Sequence, residues 1–145
     1  MEFFRRLNDR VATVVARPDL QGPLTLAARA LLASIFLISG FGKIGQYAGT
    51  QGFMESMGVP GALLPLVILV ELGGGLALLA GFQTRLAALA LALFTLVAGL
   101  IFHGAPEPMQ RIMLLKNFAI CGGLLAFVVF GGGRLSLDAE GRPAR

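Results

Sequence analysis

The chain has 145 residues, of which 56% are hydrophobic and 14% charged, with a formal net charge of +4. A mean hydropathy of +0.79, with far fewer charges than the ~25% of soluble domains, excludes an ordinary water-soluble globule. The arginines flank apolar runs instead of clustering, so the basic excess reads as membrane topology and anionic-headgroup contact, not nucleic-acid binding.

Residues 1–17 have the pattern of an amphipathic helix. Phe3, Phe4, Leu7, Val11, Val14 and Val15 recur at helical spacing, with Arg5, Arg6, Asn8, Asp9 and Arg10 between them. Such a helix lies in the headgroup layer with its apolar face toward the acyl chains. Pro18 is expected to break it. No cleavable leader precedes the first apolar run, which begins only near Leu24 after several arginines.

Four apolar runs follow, over residues 24–44, 61–81, 86–103 and 112–130, each near the ~20 residues that cross a 30 Å hydrocarbon core. The expected fold is an all-α integral membrane protein. It is a single domain over 1–145: a four-transmembrane-helix bundle with an N-terminal amphipathic interfacial helix and a polar cytoplasmic tail over 131–145, partly disordered. Residues 45–60 connect the first two runs, and Phe53, Met54 and Met57 suggest a short helix there at the outer interface, ended by Gly58 and Pro60. Gly73, Gly74 and Gly75 in the second run would allow backbone-to-backbone packing. Thr84 is the expected N-cap of the third run. The inner side collects Arg5, Arg6, Arg10, Arg17, Arg85, Arg134, Arg142 and Arg145, whereas the outer side has Arg111 and Lys43. That asymmetry places both termini in the cytoplasm.

Glu71 sits in the middle of the second run, about 15 Å from either surface by helix rise. An unpartnered charge there costs at least ~2.5–3.5 kcal/mol, so a partner is required. The candidates on the other runs are Arg29, Lys43, His103, Lys116 and Asn117. Arg29 and Lys116 each lie within one to two turns of Glu71 in depth, within reach of an extended side chain or a bridging water. Glu71 is then either a salt bridge holding the helices in register or part of a functional centre. Cys121 is the single cysteine, with no CxxC or metal-ligand spacing, so it reads as packing and no metal site is expected. No Walker loop, GxGxxG, HExxH or Ser/His/Asp arrangement is present.

The segments SGFGK (39–43), VELGGGLALLAGFQTRLAAL (70–89), His103 before a short loop, KN…GGLL (116–125) and GGGRLSLD (131–138) occur in this order. Together they resemble the DoxX family from about Leu26 to Asp138, with the amphipathic helix outside the likeness. The resemblance implies a multi-pass protein of a bacterial-type inner membrane. Some relatives of that family are linked to thiosulfate:quinone oxidoreductase, others to complexes that detoxify reactive oxygen and sulfur species. By position, Lys43, Glu71, His103 and Lys116 match recurring polar sites of the family. On this reading the chain is a membrane subunit of a quinone-linked oxidoreductase or redox-detoxification complex. Glu71, His103 and Lys116 carry protons, while Arg29, Lys43 and Asn117 help to bind the ligand. No cofactor motif is evident, so the quinone would be a bound molecule and electrons would come from a soluble or membrane oxidoreductase partner or a small reductant. The alternative is a small-anion transporter, homo-oligomeric to complete its path, or a membrane scaffold without redox chemistry. The sequence leaves open whether the chain is itself an enzyme.

Overall fold

The computed structural model describes residues 1–139. Arg142, Arg145 and the end of the expected tail lie outside the described residues. Six α-helices follow one another: α1 (Glu2–Val15), α2 (Pro18–Gly45), α3 (Tyr47–Ser56), α4 (Leu64–Ala80), α5 (Thr84–Phe102) and α6 (Pro108–Phe130). A 3-10 turn, Gly61–Leu63, leads into α4, and there is no strand among the described residues. Four helical segments, Pro18–Gly45, Gly61–Ala80, Thr84–Phe102 and Pro108–Phe130, are long and apolar enough to cross a membrane.

The all-α, four-span architecture with a separate amphipathic helix is therefore present. No residue of α1 is buried by protein, which suits a helix whose Phe3, Phe4, Leu7 and Val11 meet lipid. The ends differ from the sequence expectation. Pro18 does separate α1 from α2, but it does so as the first residue of α2, where its fixed φ and missing N–H cost nothing. The first span is accordingly 28 residues long. At 1.5 Å per residue that is about 42 Å, so α2 reaches into the headgroup layer or tilts.

Helix α4 packs against both α2 and α5, α5 packs against α6, and α2 meets α6 far less. The core between them is Ala33, Phe36, Leu78, Ala88, Leu91, Ala92, Leu124 and Phe127. The glycines of α4 work differently from expectation. A Cβ on Gly74 would stand 2.9 Å from Leu91, and one on Gly75 would stand 3.0 Å from Leu37, while Gly73 faces open space apart from Leu69 of its own helix. They admit side chains of neighbouring helices, not bare backbone. Cys121 is half-buried and free.

Two ends of the bundle can be told apart by charge. The N-terminus of α2, the C-terminus of α4, the N-terminus of α5 and the C-terminus of α6 meet at an Arg-rich end, with Arg17, Arg85 and Arg134. The opposite end has α3 and the loop after His103. Residues 131–139 are not a loose tail. They fold back under the Arg-rich end as a strap, with amides of Leu137 and Asp138 donating to Ala80 and Gly81 carbonyls at 3.2 and 2.9 Å.

Candidate functional site

Ser39 and Lys43 are four residues apart on α2 and so share one face. Gly40 lies between them where α4 passes: a Cβ there would come within 2.7 Å of Leu72 and 3.4 Å of the Glu71 Cβ. This close approach delivers Glu71 to the Ser39–Lys43 face. The Lys43 ammonium donates to Glu71 Oε1 at 2.9 Å and to Ser39 Oγ at 2.6 Å, and Ser39 Oγ donates to Glu71 Oε1 at 3.1 Å. The ammonium is also 2.9 Å from Oε2. That second oxygen lies within ion-pair distance but has no hydrogen bond of good geometry, and it is buried. Glu71 is 4% exposed, and the Lys43 side chain 23%. The carboxylate thus has its partner; breaking a fully buried pair from one side costs ~3–5 kcal/mol, and somewhat less here, where Lys43 is partly exposed.

The pair faces a cavity of about 630 Å3 in the half of the bundle that ends at His103. Helices α2, α4, α5 and α6 form its walls with Phe36, Val67, Val70, Phe94, Ala98 and Ile120, and α3 covers its end with Phe53 and Met54. Phe53 stacks on Phe102 with ring centroids 5.6 Å apart, which fixes that cover. Helices α2 and α6 touch at Leu32 and Gly123. Further toward the His103 end, their residues line the cavity from different sides.

The sequence candidates divide. Glu71, Lys43, His103, Lys116 and Asn117 all line this cavity. His103 lies just past the end of α5, with Nδ1 2.7 Å from Gln110 Oε1 across the connecting loop. With the amide oxygen as acceptor, Nδ1 holds the proton and Nε2 of the neutral ring is left to accept one. Lys116 is exposed and its ammonium contacts Met113 Sδ at 3.2 Å, not Glu71. Asn117 rests on Gly99, where a Cβ would approach its side-chain nitrogen to 2.8 Å.

Arg29 does not join them. It is fully buried at the Arg-rich end. There it donates to the Leu79 and Leu78 carbonyls at 2.8 and 3.3 Å, and to the Leu135 carbonyl of the strap. Leu78 and Leu79 are among the last four residues of α4, whose carbonyls have no intrahelical donor, so the guanidinium caps that helix. Gly81 (φ +70) ends α4 beside it, and a Cβ there would strike Arg29 and Ser136. Two more caps complete this end. Arg85 donates to the Val128 and Val129 carbonyls at the end of α6. The amides of Gln83 and Thr84 donate to the Asp138 carboxylate at 2.7 and 2.8 Å. Thr84 is thus not the N-cap expected: Gln83 occupies that position, and the capping oxygen comes from the strap.

Two cavity residues escaped the sequence reading as bonding groups. Ser39 looked like a small packing residue, although its i, i+4 relation to Lys43 was a usable signal. Thr95 lies in an Ala/Leu-rich run, and its Oγ1 is buried without a partner. Thr95 Oγ1 is therefore an orphaned polar atom on the cavity that Glu71 also lines, where Glu71 Oε2 has the Lys43 ammonium as its partner at ion-pair distance.

The fold and this site define a class: a small polytopic helical membrane protein with a buried ion pair on a mostly apolar cavity. The DoxX family model matches residues 24–104. The chain is 51% identical over 114 residues to inner membrane protein YqjF of Escherichia coli (strain K12), covering 78% of this chain and 88% of that one. It is 33% identical over 123 residues to inner membrane protein YphA of the same organism, covering 79% and 88%. The chain belongs to the DoxX family, as an inner-membrane protein with four spans. No solved structure matches it.

Proposed function

We propose that the chain is the quinone-binding subunit of an inner-membrane oxidoreductase or redox-detoxification complex, with the Arg-rich end and both termini in the cytoplasm. The observation that carries this reading is the cavity: about 630 Å3 of mostly apolar wall with Glu71, Lys43, Thr95 and His103 on its lining. Ligand pockets are commonly ~300–1,000 Å3, apolar, with a few polar groups that fix orientation. The polar groups suit a quinone ring, because the unpartnered Thr95 hydroxyl can donate to a carbonyl oxygen and the Glu71 carboxylate can accept from a ring hydroxyl. A bound quinone supplies two-electron carrier chemistry, with electrons from a partner oxidoreductase or a small reductant.

The residues of the chain orient and protonate. Thr95 and Asn117 hold the polar edge of the ring, and the aromatic and aliphatic walls exclude water. His103 and Glu71 are groups of the type that exchange protons. Lys43 holds the Glu71 side chain in place on the cavity wall through their ion pair. Anion transport has less behind it. Of the cations within the spans, Arg29 is bound by backbone carbonyls and Lys43 by Glu71, which leaves Lys116 alone, in contact with Met113 Sδ.

The test is the organic extract of protein purified from native membranes. Quinone is expected in near-stoichiometric amount in the wild type and depleted in Thr95→Val and His103→Ala. No quinone in the wild type, with uptake of an anion into liposomes lacking any electron donor, would replace this reading by transport. Reporter fusions at Gly49 and after Ala139 check the orientation; the same side for both would overturn it.

A further inference from the structure

A second cavity, of about 490 Å3, lies at the Arg-rich end, separate from the quinone site, between the start of α5, the end of α6 and the strap. Its lining joins Arg85, Arg134, Thr84 and the Gly131–Gly132–Gly133 run. Three features set it apart from an ordinary surface cleft. Thr84 is fully buried, yet its Oγ1 has no hydrogen-bond partner. Gly132 must be glycine, because a Cβ would stand 2.5 Å from that oxygen, and Gly131 and Gly133 both have φ of +78. Among the described residues, the amides of Gly132, Gly133 and Arg134 donate to no backbone acceptor.

A glycine-rich turn with free amides, flanked by two guanidinium groups and a spare hydroxyl, is the chemistry that recognises a phosphate. The nearby carboxylate of Asp138 does not oppose this, since the Gln83 and Thr84 amides engage both its oxygens. Arg85 uses Nη1 on the end of α6, which leaves Nη2 and Nε to donate. Arg134 makes no hydrogen bond or ion pair among the described residues. Exposed Phe130 forms the remaining edge of the cavity, so the site has an apolar border at the level where headgroups meet acyl chains. We infer that this cavity binds a phosphate group at the membrane surface, presented by an anionic phospholipid.

The experiment titrates the full chain, purified in detergent, with phosphatidylglycerol, phosphatidylcholine and inorganic phosphate, followed by native mass spectrometry. Phosphatidylglycerol is expected to be retained over phosphatidylcholine. Arg134→Gln and Thr84→Val should each weaken that retention about tenfold, the loss of one charge-assisted or buried hydrogen bond. Arg111→Gln, an equally exposed arginine at the opposite end, should leave it unchanged. The melting temperature of Thr84→Val should not fall, because the hydroxyl has no protein partner to lose. Inorganic phosphate bound with the same variant dependence would keep the site and identify its source as a soluble anion. Equal weakening by Arg111→Gln and Arg134→Gln, or binding indifferent to all three changes, would overturn it.

Discussion

Each half of this bundle buries a charge, and the two halves do it by opposite means. At the Arg-rich end, Arg29 is enclosed by carbonyls of α4 and of the strap, and Asp138 and Arg85 cap the ends of α5 and α6. At the His103 end, Glu71 is neutralised by Lys43 on the wall of a cavity that also carries the unpartnered Thr95 hydroxyl. The first arrangement uses its buried charge to hold helix ends together. The second sets its charge facing a space large enough for a ligand. A charge in a membrane span is therefore not a site by virtue of being there; whether it faces a cavity is what distinguishes Glu71 from Arg29.

Substitutions can sharpen or break this contrast. The largest effect is expected from Arg29→Met, which removes the donor to the Leu79 and Leu135 carbonyls and the second donor to Leu78, whose carbonyl also accepts from Gly81. It should lower stability by about 3 kcal/mol or more, read by unfolding in detergent, while any protein that remains folded retains its ligand. Loss of ligand without loss of stability would show that the Arg-rich end is not merely structural. Next come Glu71→Gln and Lys43→Met, each costing ~2–3 kcal/mol, with a double variant less damaged than their sum by ~1–3 kcal/mol. Strict additivity in that cycle would mean the pair is not coupled. Asp138→Asn should cost about 1 kcal/mol through a weakened cap on α5, and hydrogen exchange at Gln83 and Thr84 should speed up. The smallest effect belongs to Thr95→Val. Its melting temperature should hold steady or rise slightly, because no protein bond is lost, but ligand retention should drop. A clear fall in stability would mean the hydroxyl is bonded within the fold.

Much of the architecture was legible because hydropathy reports it directly. Residues 24–44, 61–81, 86–103 and 112–130 fall on the four spans with end errors of a few residues, largest at Pro18, where a helix breaker is also a helix starter. Within the site, Glu71, Lys43, His103, Lys116 and Asn117 do share one cavity lining. Depth along a helix allowed both Arg29 and Lys43 to reach Glu71; it could not choose between them. The choice depends on Gly40, which draws α2 and α4 together beside Lys43, and on carbonyls of α4 that attract Arg29 elsewhere. The strap was illegible for a related reason. Its sequence is short, polar and rich in glycine, which composition alone reads as disorder, and its order comes from partners on α2, α4 and α5.

The contact between Arg29 and the strap also has a meaning in time. The guanidinium and the Leu135 carbonyl are 106 residues apart in the chain. At ~5–20 residues per second, a ribosome needs roughly 5–20 s to make that stretch. Throughout this interval the first span must wait in the translocon or bilayer with its arginine only partly enclosed. Shortening the chain before Leu135 would leave that wait without an end. The bundle is inserted from its beginning and fastened from near its finish.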